Sequence, residues 1–287
     1  MAQTINTNLV SLNAQRNLSM SQSQLSTSMQ RLSSGLRVNS AKDDAAGLAI
    51  AERMNTQIRG MNVAMRNAND GISMAQVGEG ALGKVADMMQ RMRELAVQAA
   101  NGTNTSTDRT SLNNEYLQLA REAARTLGGT QFNGQNILAT SLTSTFQIGA
   151  NTVSALDQVS VAAFNWTMLG TITTAVGSAV GTDPAVAVSG ADGILAVQAI
   201  GVLDLAIDAI NAQRAAFGAV QNRFDNVISN LMVSSENQTA ARSRIMDADY
   251  AVETSNLSRA QILQQAGNAM VAQANQLPNQ VLSLLQR

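Results

Sequence analysis

The sequence predicts a mainly α protein of long antiparallel helical rods that pair as coiled coils, with a small β-hairpin region in the central segment. Three observations predict this fold. Apolar residues recur at alternating steps of three and four over long stretches, which is the spacing of paired helices. Aromatic residues are only 3% of the chain and charged residues 14%, whereas Asn and Gln together number 51 of 287 residues. One central stretch, residues 131–193, is instead rich in Thr, Val, Gly and Ser.

The first 36 residues predict an amphipathic helix with a thin apolar stripe. The segment SSGLRVNSAKDD at 33–44 then predicts a turn followed by a helix start. Asp43 and Asp44 suit that start because carboxylates are stabilised at the positive end of a helix dipole. We expect the N-terminal stripe to serve self-assembly, and it includes Ile5, Leu9, Leu12, Leu25 and Leu32.

Two long rods are predicted in the body of the chain. The stripe over 54–99 keeps its alternating steps for 46 residues, which corresponds to a helix of roughly 70 Å. A second stripe runs over 200–231. Polar residues interrupt both stripes, Glu79 in the first and Arg214 and Gln221 in the second. A repeat sustained over such lengths is typical of a coiled coil.

A shorter helix is predicted over 112–127, because Thr105 and Asp108 have the spacing of a capping box before it. After it, β-branched runs at 146–148 and 159–161 predict short strands and hairpins. We expect residues 165–190 to face solvent.

The C-terminal 31 residues predict a last amphipathic helix, whose stripe ends at Leu277, Val281 and Leu284.

The composition excludes several classes of function. The chain has no Cys and no His, which removes disulfides, thiolate catalysis, imidazole metal sites and the commonest general base. A net charge of −1 argues against nucleic-acid binding. No apolar run approaches the roughly 20 residues of a membrane span, so we expect no membrane insertion. The first ten residues lack the basic and apolar regions of a cleaved signal peptide.

One stretch imitates nucleotide-binding motifs. Gly78, Gly80 and Gly83 match a dinucleotide fingerprint, and Lys84 adds most of a phosphate-loop pattern. Both motifs need a preceding strand, whereas this stretch lies inside the heptad stripe, and Val85 stands where a phosphate loop needs Ser or Thr. We expect these glycines to serve instead as small residues that let neighbouring helices approach closely. The sequence therefore predicts no cofactor, no metal site and no enzyme.

The chain resembles bacterial flagellin, on motifs at both ends. The N-terminal region reads RLSSGLRVNSAKDDAAG at 31–47, RNANDGIS at 66–73 and FNG at 132–134. The C-terminal region reads QNRF at 221–224, AARSRI at 240–245 and VLSLL at 281–285. The resemblance covers about residues 1–150 and 195–287.

The resemblance implies a domain plan. Residues 1–44 and 246–287 would pair as the inner layer of a filament, and residues 45–140 and 191–245 would form a helical rod domain. The segment 141–190 would be a short β-rich piece. Only about 45 residues separate the matching blocks, so the large outer domains of many flagellins are expected to be absent.

The resemblance also implies location and partners. The subunit would be exported unfolded through the flagellar channel, without a cleaved signal peptide, and would polymerise outside the cell into a helical homopolymer for swimming motility. An export chaperone would bind the C-terminal helix, and cap and junction proteins would meet the filament. The C-terminal segment for assembly and chaperone binding contains Leu277, Val281, Leu282, Leu284 and Leu285.

The same resemblance implies recognition by two innate immune receptors. The motif QRMRELAVQ at 90–98 matches the flagellin segment that animal Toll-like receptor 5 recognises. The contacts carried over are Arg91 and Leu95, with Glu115 on the neighbouring helix. Recognition by the cytosolic inflammasome sensor would use Leu282, Leu284 and Leu285.

Three alternatives stay open at this point. A hook–filament junction protein shares the plan of helices at both ends, and the long motif at 31–47 favours flagellin over it. A signalling coiled coil like a chemoreceptor's cytoplasmic hairpin would need membrane spans. An enzyme would need a cluster of catalytic side chains, and no spacing in the chain points to one.

Overall fold

In the computed structural model the chain is largely helical, and the structure describes residues 7–141, 143–151, 153–162, 164–190 and 193–285. The predicted mainly α fold with small β-hairpins is confirmed. The elements in chain order are α1 (Leu9–Ser34), α2 (Ala45–Ala100), α3 (Ser106–Gly129), β1 (Gln131–Phe132), β2 (Gln135–Asn136), β3 (Ser144–Gln147), α4 (Ser154–Asp157), β4 (Gln158–Val161), a 3-10 turn (Trp166–Met168), α5 (Gly170–Val176), α6 (Ile194–Met246) and α7 (Tyr250–Leu285).

The chain divides into two compact units. The terminal unit consists of Met1–Gln57 and Glu236–Arg287, and the central unit consists of Ile58–Ser235. The long helices α2 and α6 contribute residues to both units.

In the terminal unit, a tight turn joins α1 to α2. Gly35 ends α1 in the left-handed conformation, with φ of 72°, and its N–H donates to the Arg31 carbonyl. The Asp43 carboxylate accepts the N–H and the hydroxyl of Ser40 and the N–H of Asn39, and these bonds, those of Ser40 first, lower the pKa of Asp43. The predicted helix start is confirmed, because Asp44 accepts the N–H of Gly47 at 2.7 Å.

Two backbone contacts tie this turn to the end of α6. Leu36 pairs with Asp247 in an isolated antiparallel bridge, and Arg37 N–H donates to the Met246 carbonyl at 2.6 Å. Beside them Val38, Ala51 and Met246 form a small buried cluster. The α1–α2 turn and the α6–α7 connection therefore pack against each other.

The stripe of α2 forms the main core of the central unit. Ala68, Ala75, Leu82, Ala86 and Met89 are buried, as their spacing predicts. Methionine side chains fill part of the same face, because a flexible thioether adapts to irregular gaps in a core. The buried methionines of α2 are Met61, Met74, Met89 and Met92.

Helices α2 and α6 run antiparallel and approach closely at two glycines. A Cβ at Gly71 would lie 2.6 Å from Cζ of Phe224, and a Cβ at Gly78 would lie 2.9 Å from Cε2 of Phe217. The expectation of close packing is wrong for Gly80 and Gly83, since a Cβ at either would meet no atom within 4 Å. The whole stretch lies inside α2, as predicted.

The predicted capping box of α3 is confirmed. Thr105 Oγ1 accepts the N–H of Asp108, and the Asp108 carboxylate accepts the N–H and hydroxyl of Thr105. Further into α3, the buried Arg109 side chain donates to the carbonyls of Ala99, Asn101 and Gly190. The bond to Ala99 satisfies a carbonyl in the last turn of α2, where carbonyls have no partner within the helix.

Two short antiparallel hairpins follow α3. In the first, β1 and β2 meet at Asn133 and Gly134, which both have positive φ, as a tight hairpin turn requires. In the second, β3 pairs with β4 in a register that sets Phe146 opposite Val159. Phe146 also meets the ring of Phe224 edge to face at 5.6 Å, which attaches this hairpin to α6.

The expectation that residues 165–190 face solvent is wrong for a part of that stretch. Three short helical segments lie between residues 154 and 176, and the sequence reasoning predicted none of them. Helix α5 packs against α3 and against the 3-10 turn, and the buried apolar side chains of α5 and of the turn belong to the main core. The buried residues of this stretch include Trp166, Ile172, Ala175, Val176 and Val188.

Helix α6 is more apolar than the sequence reasoning expected. It contains an 18-residue window of mean hydropathy 1.7, of which 28% is buried, and by length and composition it is the one helix among the described residues that could cross a membrane. Four of its large side chains, Leu203, Ile210, Phe217 and Phe224, lie in the core of the central unit. The apolar character of α6 therefore has a role within the fold.

Candidate functional site

The terminal helices α1 and α7 pack along a seam in which small residues are interleaved with larger ones. On α1 the buried and half-buried positions recur at steps of three and four, which is the coiled-coil spacing. They are Ser11, Ala14, Leu18, Ser21, Leu25, Ser28 and Leu32. Serine and alanine thus take turns with leucine on the contact face.

Helix α7 presents a matching seam with the same spacing. Its positions are Glu253, Leu257, Ala260, Gln264, Gly267, Val271 and Ala274. A Cβ at Gly267 would lie 3.1 Å from Cδ1 of Leu18, so the glycine makes room for the leucine. The two helices approach closely because neither seam carries two large apolar residues in succession.

Polar contacts fix the antiparallel register of the pair. Asn8 Nδ2 donates to the Ala274 carbonyl at 2.7 Å near the start of α1. Near its end, Arg31 lies 3.9 Å from the buried carboxylate of Glu253. The phenol of Tyr250 donates to the backbone of α1 beside this ion pair. Because these contacts lie at both ends, sliding one helix along the other would break them together.

Ten large apolar side chains of this helix pair lie outside the seam. Leu9 is 69% exposed and Leu12 50%, and on the partner helix Ile262 is 66% exposed. We call this set the open apolar residues, and its members are Leu9, Val10, Leu12, Met20, Met29, Tyr250, Val252, Ile262, Leu263 and Met270. Large apolar side chains exposed in such number are available for contacts with another molecule.

The structure separates the predicted N-terminal stripe into two groups. Leu25 and Leu32 lie in the seam, whereas Leu9 and Leu12 are open apolar residues. Ile5 lies outside the described residues. That this stripe serves self-assembly stays a prediction.

The C-terminal segment is described only in its backbone, which is helical as far as Leu285. The predicted assembly and chaperone residues there are Leu277, Val281, Leu282, Leu284 and Leu285, and their side chains lie outside the described part of the chain.

Sequence reasoning missed the small residues of the seam. Ser11, Ser28 and Ala260 are buried, yet none of them belongs to a stripe of large apolar residues. The available signal was the repeat of Ser or Leu every seven residues along α1. Such a repeat is easily overlooked because serine normally counts as a surface residue.

The predicted receptor residues lie in the central unit, on α2 and α3. Arg91 donates from Nη2 to the Glu115 carboxylate at 2.9 Å and from Nη1 to Glu94 at 2.9 Å. Glu94, and after it Glu115, raises the pKa of Arg91. Leu95 is only 1% exposed and belongs to the core beneath this ion-paired surface. The structure thus brings Arg91 and Glu115 together at the surface and places Leu95 inside.

No cluster of three or more acidic residues that could hold a metal ion occurs within the described ranges. The described surface carries groups suited to binding another molecule, namely apolar side chains on α1 and α7 and ion pairs on α2 and α3.

Comparison with known proteins bears on this arrangement. A family profile described as the bacterial flagellin N-terminal helical region matches residues 5–143, and one described as the bacterial flagellin C-terminal helical region matches residues 200–285. The chain is 45% identical over 284 residues to a flagellin of Halalkalibacterium halodurans, covering 98% of this chain and 99% of that protein.

A second relative shows what this chain lacks. It is 37% identical to flagellin A of Vibrio anguillarum over 379 aligned positions, covering all of both proteins. Because those positions outnumber the 287 residues of this chain, the Vibrio protein carries segments that this chain does not have.

Among solved structures, the fold is similar to that of a chain described as a flagellar hook-associated protein from Vibrio parahaemolyticus. The TM-score is 0.57 at 11% identity, covering 71% of this chain and all of that one. This likeness concerns the fold alone, so it does not favour the hook–filament alternative over the full-length relatives.

Proposed function

The chain belongs to the bacterial flagellin family and is a structural subunit of the extracellular flagellar filament, and from that premise we propose that its copies contact one another through the open apolar residues of α1 and α7. One observation carries this proposal: the seam of the helix pair only half-buries its large apolar side chains, and ten further large apolar side chains of the pair are exposed. Covering them would remove apolar surface from water, which is the main driving force of association.

Self-assembly through this surface has a physical rationale. The seam between α1 and α7 buries few large side chains, so the pair alone gains little apolar burial to offset the ordering of two helices. Neighbouring copies would supply the missing contacts. The surface therefore suits a subunit that is more stable within a polymer than alone.

The predicted domain plan is proposed on the same basis. Residues 1–44 and 246–287 would form the innermost filament layer, and 45–140 with 191–245 would lie outside it. The short segment 141–190 would stand where other flagellins carry larger insertions, in agreement with the longer Vibrio relative.

The remaining partners are proposed from family membership. An export chaperone would bind the C-terminal end of α7, where the last helical residues extend to Leu285. The cap would meet a subunit as it adds to the filament tip, and junction proteins would meet the filament base.

Recognition by Toll-like receptor 5 is proposed for the surface around Arg91 and Glu115. Both side chains are accessible and lie on adjacent helices, joined by the ion pair. Leu95 would act through the packing beneath them, because it is buried. The cytosolic sensor would use the C-terminal leucines Leu282, Leu284 and Leu285.

Paired substitutions test the assembly surface. Leu12→Gln combined with Leu263→Gln removes two open apolar residues without touching the seam. Losing two leucines from a contact costs about 3 kcal/mol or more, which raises the critical concentration for polymerisation about 100-fold. Sedimentation of polymer from purified subunits measures this concentration, and circular dichroism checks that the helices are retained.

Leu156→Gln is the matched control, because Leu156 is 79% exposed in α4 of the central unit. This variant should polymerise as the unchanged protein does. If the double variant also polymerises at the normal concentration with its helices intact, the contact lies elsewhere and the proposal is wrong.

A further inference from the structure

Methionine is the only sulfur-containing residue type in this chain. The sequence contains 14 Met and no Cys, so no thiol is present to react first with an oxidant. The only Trp is buried in the central unit. The exposed thioethers are therefore the side chains of this protein most open to oxidation.

Three of those thioethers belong to the open apolar residues. Met20 is 54% exposed and Met29 57% exposed on α1, and Met270 is 61% exposed on α7. None of the three lies in the α1–α7 seam. Their sulfur atoms can be reached before assembly, and they stand on the surface that the proposed function assigns to contacts between copies.

We propose that Met20, Met29 and Met270 form an oxidation-sensitive element that blocks assembly when the free subunit is oxidised. The inference rests on the proposed function, because it requires these residues to be covered in the filament. Met sulfoxide is polar, so a contact made with apolar side chains would have to bury an S=O group without a partner.

The chemistry requires a two-electron oxidant of the peroxide class. The thioether sulfur attacks one peroxide oxygen, an S–O bond forms and the O–O bond breaks. The sulfur is oxidised, the peroxide is reduced, and water leaves with the second oxygen. A methionine sulfoxide reductase reverses the change, with two thiols supplying the electrons and the oxygen departing as water.

The order of events decides the outcome. An oxidant that meets the free subunit reaches all three sulfurs, whereas an oxidant that meets a finished filament finds them covered by neighbouring copies. The same dose of peroxide should therefore stop growth without dissolving existing filaments.

A pair of variants isolates this element. Met20→Leu, Met29→Leu and Met270→Leu are combined in one chain, which keeps apolar side chains of similar size but removes the oxidisable sulfur. Met168→Leu with Met232→Leu is the matched control, because both residues are exposed in the central unit. Each protein is treated with hydrogen peroxide, freed of it with catalase, mapped by mass spectrometry and assayed for polymerisation.

After treatment, the unchanged protein and the control variant should show a critical concentration at least about tenfold higher, and the triple variant should not. Treatment with methionine sulfoxide reductase and a thiol should restore polymerisation of the unchanged protein. In preformed filaments, Met168 should be oxidised while Met20, Met29 and Met270 are protected.

The inference is overturned if subunits with sulfoxide at all three positions polymerise normally, or if the triple variant loses polymerisation as fully as the unchanged protein does. Reductase treatment that removes the sulfoxides without restoring polymerisation would overturn it as well. Failure of untreated, unchanged subunits to polymerise would be a different result, because it would contradict the proposed function itself.

Discussion

Gln221 donates from Nε2 to the Glu79 carboxylate across 3.1 Å, and so joins the polar residue that interrupts the α2 stripe to one that interrupts the α6 stripe. Each residue alone looks like a fault in an apolar repeat. Together they form one half-buried hydrogen bond between the two long antiparallel helices. A pairing of this kind specifies which turns of the helices face each other, because a shift along the axis would leave both groups unpaired.

We predict that breaking this bond from one side is more harmful than removing it entirely. Glu79→Leu or Gln221→Leu alone should lower the free energy of unfolding by about 1 kcal/mol or more, since one half-buried polar group loses its partner. The double variant should be nearly as stable as the unchanged protein. Urea unfolding followed by the fluorescence of the single Trp, which is buried in the same unit, measures the cycle. A double variant whose loss of stability equals the sum of the losses in the two single variants would contradict the coupling.

Glycines of α2 should divide into two classes when they are changed to Ala. Gly71→Ala should destabilise the central unit, because its Cβ would lie 2.6 Å from the ring of the fully buried Phe224. Gly80→Ala and Gly83→Ala should stabilise it by about 0.5–1 kcal/mol each, because a Cβ there meets nothing and alanine favours a helix. Thermal unfolding of the three variants provides the test, and a stabilising Gly71→Ala would show that the α2–α6 packing is looser than described.

Much of this architecture could be predicted from the sequence, because large side chains repeat at the period of the element that buries them. The α2 and α6 stripes, the Thr105–Asp108 cap and the β3–β4 pairing have such signals. The α1–α7 seam has a weaker one, because Ser11 and Ser28 are buried by the close approach of two helices and not by their own hydrophobicity. For the same reason the sequence pattern puts Leu9 and Leu12 in one stripe with Leu25 and Leu32, although only the last two lie in the seam.

The short helical segments around Trp166 show a second limit of prediction from sequence. They span only three to seven residues, and a pattern of three or four positions cannot be told from that of a loop. Packing against α3, which is distant in sequence, stabilises α5 and the 3-10 turn beside it, and the local sequence pattern does not reveal this contact.

The capping box of α3 should give a pH-dependent contribution to stability. The Thr105 hydroxyl, and after it the Thr105 N–H, lowers the pKa of Asp108 below its ordinary 3.8. A carboxylate whose pKa is lower in the folded state stabilises the fold above its unfolded pKa and loses that effect as the pH falls through the folded value. We expect Thr105→Ala to cost about 1 kcal/mol at neutral pH and progressively less below pH 3.8. Urea titrations at several pH values measure the difference, and a cost that stays constant into acid would contradict the assignment.

Receptor activation should depend on the ion-paired surface of α2 and α3. Arg91→Ala should weaken the response of a Toll-like receptor 5 reporter cell, because it removes an accessible guanidinium and frees Glu115. Arg121→Ala is the matched control, since Arg121 is an exposed arginine paired with Asp183 on another part of the central unit. Equal responses to both variants would contradict the proposal.

Leu95→Ala requires a different interpretation in the same assay. Leu95 is buried in the main core, so the substitution should cost about 2–5 kcal/mol of stability. A weaker response from this variant supports a role in recognition only if its thermal unfolding shows the central unit still folded at the assay temperature.

The central claim is that copies of this chain contact one another through the open apolar residues of the terminal helix pair. Helical reconstruction of its filaments by electron cryomicroscopy tests it most directly, because side chains of α1 and α7 can be located in the density. We predict that Leu12, Met20, Leu263 and Met270 are buried against neighbouring copies, while the α1–α7 seam stays as it is in the single chain. Filaments in which these four side chains remain exposed to solvent would contradict the account.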